Sequence, residues 1–163
     1  MKQYIGEKVA YRCWRVSLLD KVSTEDSERT TSTLTLKSML LDTPWVPYEK
    51  LDASCDHVSL LDCSCGIRAY KNLSSMSQYI TSISTQNISS NGEDIILGEV
   101  SLWGRLLEHS KGWRAMYAYP KTIICPEDIH IEYESLVCRV AANYGITVKF
   151  VDLKQLKLNV LNQ

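Results

Sequence analysis

A chain of 163 residues fits one domain, and a core of that size buries roughly two thirds of the surface its unfolded chain exposes, so neither disulfide nor metal is needed merely to fold. Hydrophobic residues at 45% and charged residues at 23% exclude disordered and fibrous classes, and a formal charge of −1 removes any global electrostatic case for nucleic acid while leaving room for a local basic strip. No stretch approaches the roughly 20 apolar residues that span a bilayer, and MKQYIGEKVAYRCWRV lacks the apolar run of a secretory signal.

A cytoplasmic protein with reduced cysteines and no membrane partner is therefore expected. KVAYRCWRVSLL alternates as a strand, with Val9, Tyr11 and Cys13 on one face and Ala10, Arg12 and Trp14 on the other. Residues 23–33 carry hydroxyls and charges without an apolar side chain and are expected to form an exposed mobile loop. LTLKSMLL resumes an extended segment, and Pro44 and Pro47 around Trp45-Val46 end it. Gly66 to Tyr70 predicts a short strand with Ile67 and Ala69 inward. Leu73, Met76, Tyr79, Ile80 and Ile83 recur at helical spacing, with Asn72 or Ser74 able to cap the first turn. Asn91-Gly92 then marks a turn.

Residues 95–109 and 112–124 predict two strands joined at His109-Ser110-Lys111-Gly112 as a β-hairpin, with Pro120 near an edge or a bulge. Cys125-Pro126-Glu127-Asp128 predicts a helix start. Ile131, Leu136, Val137, Val140 and Ala141 form that helix's apolar face, and Gly145 its stop. ITVKFV is a last strand and DLKQLKLNVL a short helix. The expected whole is a single α+β domain over 1–163: a mainly antiparallel, twisted sheet or partly closed barrel, PUA-like or SH3-like, with two packed helices.

Two segments carry candidate chemistry. CDHVSLLDCSCGIRAY gathers Cys55, His57, Cys63 and Cys65, the thiolate and imidazole donors that zinc prefers in a closed tetrahedral site. The one-residue spacing inside Cys55-Asp56-His57 and Cys63-Ser64-Cys65 is narrower than the usual two to four, although in extended backbone it aims both donors to one side. A tight turn of small residues before Gly66 is the simpler alternative. A third is a Cys63 or Cys65 nucleophile with His57 or His109 as base. The scattered Cys13, Cys125 and Cys138 are expected to pack as small buried hydrophobes.

The second segment, WGRLLEHSKGWRAMYAYP, crowds Glu108, His109, Lys111 and Arg114 at a hairpin end with Trp103, Trp113, Tyr117 and Tyr119 nearby. Such rings and cations suit a stacking surface for single-stranded nucleic acid. They equally suit cross-strand aromatic pairs beside a solvated tip.

Together the two segments resemble a group of small bacterial, phage or mobile-element proteins that pair a C-x-C-G-I-Y-A element with a W-G-x-x-x-E-H-x-x-G-x-R-A-x-x-A-Y-P element. The matching residues are Cys63, Cys65, Gly66, Ile67 and Ala69, then Trp103, Gly104, Glu108, His109, Gly112, Arg114, Ala115, Ala118, Tyr119 and Pro120; Arg68 stands where the pattern has tyrosine. The likeness spans roughly residues 10 to 120 and brings no activity with it. It implies that Cys55, Cys63, Cys65, Glu108, His109 and Arg114 lie near one another, which would let His109 replace His57 as a fourth zinc ligand. Two functions are expected from these residues. One is a non-catalytic module that binds a protein or nucleic-acid partner through the 103–120 hairpin and the 55–66 cysteine turn. The other is a small zinc- or cysteine-dependent enzyme using Cys63, Cys65 and His109.

Overall fold

In a computed structural model, residues 3–20, 32–41, 43–53, 65–76, 78 and 94–152 are described. Most of the expected mobile loop lies outside them, as do Cys55, His57 and Cys63, the later part of the 73–83 helix, the Asn91-Gly92 turn and the C-terminal helix. The described strands are β1 (Gln3–Ile5), β2 (Lys8–Asp20), β3 (Ser32–Ser38), β4 (Pro44–Trp45), β5 (Leu51–Asp52), β6 (Ile67–Tyr70), β7 (Ile95–Glu108), β8 (Gly112–Pro126) and β9 (Thr147–Val151). Of helix α1, residues 73–76 and 78 are described; α2 is Ile131–Tyr144. The result is an α+β fold on one mostly antiparallel, mixed sheet.

The centre of the sheet is the hairpin β7–β8, closed by the His109 N–H donating to the Gly112 carbonyl at 2.8 Å. Along the first half of β7, buried residues alternate with half-buried ones, the period-2 pattern that the sequence carries. β7 also pairs with β1 and with β2 from Lys8↔Leu102 to Arg15↔Ile95. β8 pairs on its other edge with β5, then β6, and in parallel with β9. The register slips where Glu99↔Thr122 gives way to Val100↔Pro120, so Pro120 does sit at an irregularity, where a missing N–H costs the ladder least.

β2 is buried on both sides: Cys13 is 2% exposed and Trp14 is fully covered. Cys13 meets Met39 and Met76, the last from α1. Trp14 belongs to the larger core of Leu36, Trp45, Ile96, Val100, Leu102, Ile123, Val137, Val140 and Ala141. Trp14 and Trp45 meet edge to face at 5.6 Å, a geometry that adds about 1 kcal/mol to area burial. The three thiols differ, for Cys13 and Cys125 are buried but Cys138 is exposed.

Helix α2 starts later than the sequence suggests. Rather than opening a helix, Cys125 and Pro126 continue β8, pairing with Phe150 and Val151 of β9, and the Glu127 N–H donates to the Val151 carbonyl at 3.0 Å. A parallel strand partner, invisible locally, overrides the proline and the acids as helix signals. Ile131, expected on the apolar face, is 73% exposed at the new first turn, while Tyr144 at the far end is buried. Gly145 ends α2 in the left-handed conformation, as expected of a glycine stop.

Candidate functional site

The hairpin residues divide into two neighbourhoods. At the turn, Lys71 Nζ lies 2.6 Å from Glu108 Oε1 and 5.4 Å from the centre of the Trp113 ring. Lys8 Nζ stands 5.5 Å from the same ring. Glu108 is the cross-strand partner of Trp113, so one acid and two lysines surround a single indole. The Lys71 N–H donates to the Lys111 carbonyl at 3.1 Å, tying the chain after β6 to the turn. Burial, and after it the positive charges of Arg114, Arg68 and Lys71, hold the His109 imidazole below its ordinary value.

Arg114 is 4% exposed. It faces Leu107 on one side and Arg68 on the other, and such depth makes it a structural group first. Lys111 is exposed at the tip.

Farther down the hairpin, Trp103 and Tyr117 are directly paired, their rings 6.1 Å apart and tilted by 38°. Lys50 Nζ lies 3.8 Å over the Tyr117 ring and 2.7 Å from Asp52 Oδ1. Beside them an open groove of about 480 Å³ is lined by Tyr48, Lys50, Trp103, Tyr119, Tyr144 and Gly145. Its walls are joined by hydrogen bonds. The Tyr48 N–H donates to Tyr119 Oη at 2.9 Å, and Tyr119 Oη–H donates to the Tyr144 carbonyl at 2.9 Å.

No protein-family model matches the chain, and no curated protein or solved structure is significantly similar to it.

The cysteine segment is anchored where it meets the hairpin. The Ala53 N–H donates to the Met116 carbonyl at 2.8 Å, and Ile67 pairs with Ala115. The chain thus leaves β8 and rejoins it at neighbouring residues, which starts the two ends of the cysteine stretch from one place. Among the described residues no cluster of three or more His, Cys, Asp and Glu stands ready for a metal; of the expected ligands only Cys65 and His109 are among them. Register separates these two: Ile67 pairs with Ala115 while Tyr70 pairs with Gly112, so β6 lies between them, roughly 13 Å of strand at 3.3 Å per residue.

The sequence reading placed Trp103, Glu108, His109, Lys111, Trp113, Arg114 and Tyr117 on one hairpin, and all are there. It missed Lys50, which lies over the Tyr117 ring, and Tyr48, which lines the groove with Trp103 and Tyr119. The available signal was Val46-Pro47-Tyr48-Glu49, a proline-led turn beside the aromatic strand.

Proposed function

We propose that the protein is a non-catalytic binding module that meets its partner through the 103–120 hairpin, with the 55–66 cysteine turn beside it. The observation that carries this reading is how the hairpin rings are held. Tyr117 lies under Lys50, Trp113 lies beside both Lys8 and Lys71, and Trp103 leans on Tyr117. Half-buried rings fixed by their neighbours lose little rotamer freedom on association, which makes them effective anchors. A protein partner is favoured over nucleic acid because Lys50 and Lys71 already pair with Asp52 and Glu108, which leaves fewer cations to displace counterions from phosphate. The reading takes the module to work in the cytoplasm with reduced thiols.

The circuit of pairings β2–β7–β8–β6–β2, closed by Tyr11↔Tyr70, supports a partly closed barrel of PUA-like or SH3-like form, an analogy that carries no ligand. The resemblance to the small bacterial or mobile-element group, which joins the cysteine element to the hairpin element, supports one composite surface.

The second reading, zinc or cysteine chemistry on Cys63 and Cys65, draws its support from the neighbouring exit and return points at Ala53 and Ile67. His57 suits it better than His109 as a further ligand, because β6 lies between His109 and Cys65.

Immobilised wild type, Trp103→Ala and Trp113→Ala protein exposed to cell extract test the first reading, each variant checked by circular dichroism and thermal melting. The expected result is a partner held by wild type and lost by both folded variants; equal capture by all three refutes it. Elemental analysis decides the second reading. About one zinc per chain, with thiols shielded until a chelator is added, supports it.

A further inference from the structure

Val46 to Glu49 forms a turn in which the Glu49 N–H donates to the Val46 carbonyl at 3.2 Å. Pro47 holds the second position, and Tyr48 holds the third with φ +64°, a backbone that turns of this kind normally give to glycine or asparagine. An aromatic residue there is strained. The Tyr48 N–H is fixed by Tyr119 Oη, and the ring rests over Gly145, where a Cβ would stand 3.1 Å from Tyr48 Cε1. Yet Tyr48 is 76% exposed. The chain therefore carries backbone strain at a ring that adds little to its own core, and the glycine that stops α2 leaves room beneath that ring.

That ring forms one wall of the groove with Trp103 and Tyr119, and Gly145 brings in the end of α2. The groove's charge selects its occupant. Lys50 is the charged group of the lining and is offset by Asp52 at 2.7 Å. The C-terminal, negative end of α2 has no basic residue in its last turn, so it favours a cation over an anion. Next to the groove, Lys50 over Tyr117 and beside Asp52 already shows how an ammonium is held between a ring and an acceptor.

We infer that this groove seats the ammonium or guanidinium side chain of a protein partner against the ring faces of Tyr48, Trp103 and Tyr119. The inference rests on the binding-module reading and names the partner's chemistry at one point of contact.

Nuclear magnetic resonance titration of the full chain with acetyl-Gly-Lys-Gly-amide, its arginine and norleucine counterparts, and adenosine monophosphate tests it. The cationic peptides should move the Tyr48, Trp103, Tyr119 and Gly145 resonances saturably, and at least about tenfold more tightly than the norleucine peptide. Tyr48→Gly should weaken that binding at least about tenfold while keeping or raising the melting temperature, because it relieves the turn. Equal binding of norleucine, groove shifts from the nucleotide alone, or no saturable shift with the lysine peptide up to about 20 mM would each overturn it. Should the groove fail while Trp113→Ala still releases a captured partner, this inference falls and the binding-module reading stands; if the tryptophan variants also capture equally, both fall.

Discussion

Tyr144 shows how much of this fold depends on one hydroxyl. It accepts the Leu36 N–H at 2.9 Å and donates to the Trp45 carbonyl, so the last turn of α2 clasps β3 and β4 from inside the core. Asn143 adds a bond to the Leu34 carbonyl at 3.1 Å. Tyr144→Phe keeps the ring and orphans two buried backbone groups, which should lower stability by about 1–3 kcal/mol in urea unfolding; an unchanged midpoint would show that the clasp is dispensable. His109 sets a pH response. Because the folded chain holds this imidazole below its ordinary value, the unfolded chain takes up the proton first, so its contribution is complete above roughly pH 6.5 and is lost as pH falls below that. The fall in urea midpoint from about pH 7 to about pH 5 should be smaller in His109→Gln than in wild type, and equal falls would discount the lowering by burial and by the cationic surroundings. Of these residues the sequence disclosed the hairpin cluster, because local alternation and turn chemistry put it there. It could not disclose Tyr144, whose partners are strands from the far end of the chain.

Among the elements, the hairpin was legible because each of its signals is local: alternation, aromatic content and Gly112. Gly112 has a further task, since a Cβ there would stand 2.2 Å from the Ala69 carbonyl oxygen. Gly112→Ala must therefore push β6 away from β8 and should cost about 3 kcal/mol, read by denaturant unfolding, with the amides of 67–70 losing hydrogen-exchange protection first. Loss spread evenly over the sheet would contradict that account. Helix α2 was legible at its glycine end but not at its start. A cap depends on neighbours in sequence, whereas the extension of β8 through Pro126 depends on β9 arriving alongside it.

At the scale of the molecule, a sheet covered on both faces explains why adjacent residues such as Cys13 and Trp14 are both buried. Burial pushes the Cys13 thiol up to about 11, which makes it a poor nucleophile at neutral pH. Native protein treated with a thiol reagent should therefore label Cys138 quickly and spare Cys13 and Cys125, as peptide mapping would show; rapid labelling of Cys13 would mean that the face around Met39 and Met76 opens readily. The three scattered cysteines give composition but not depth in a sequence, and depth decides which of them react. No described helix is long and apolar enough to cross a membrane.

β5 and β6 lie in line on the same edge of β8, with Asp52 opposite Tyr117, Ala53 bonded to Met116 and Ile67 opposite Ala115. Viewed from β8 they are a single strand that breaks off after Ala53 and resumes at Ile67. Joining Ala53 directly to Ile67 asks β8 for no new partner, so a chain lacking residues 54–66 should retain the sheet's circular dichroism and a cooperative melt. The chain would then separate into a scaffold that folds by itself and a removable insert, residues 54–66, whose chemistry can be exchanged without redesigning the sheet beneath it.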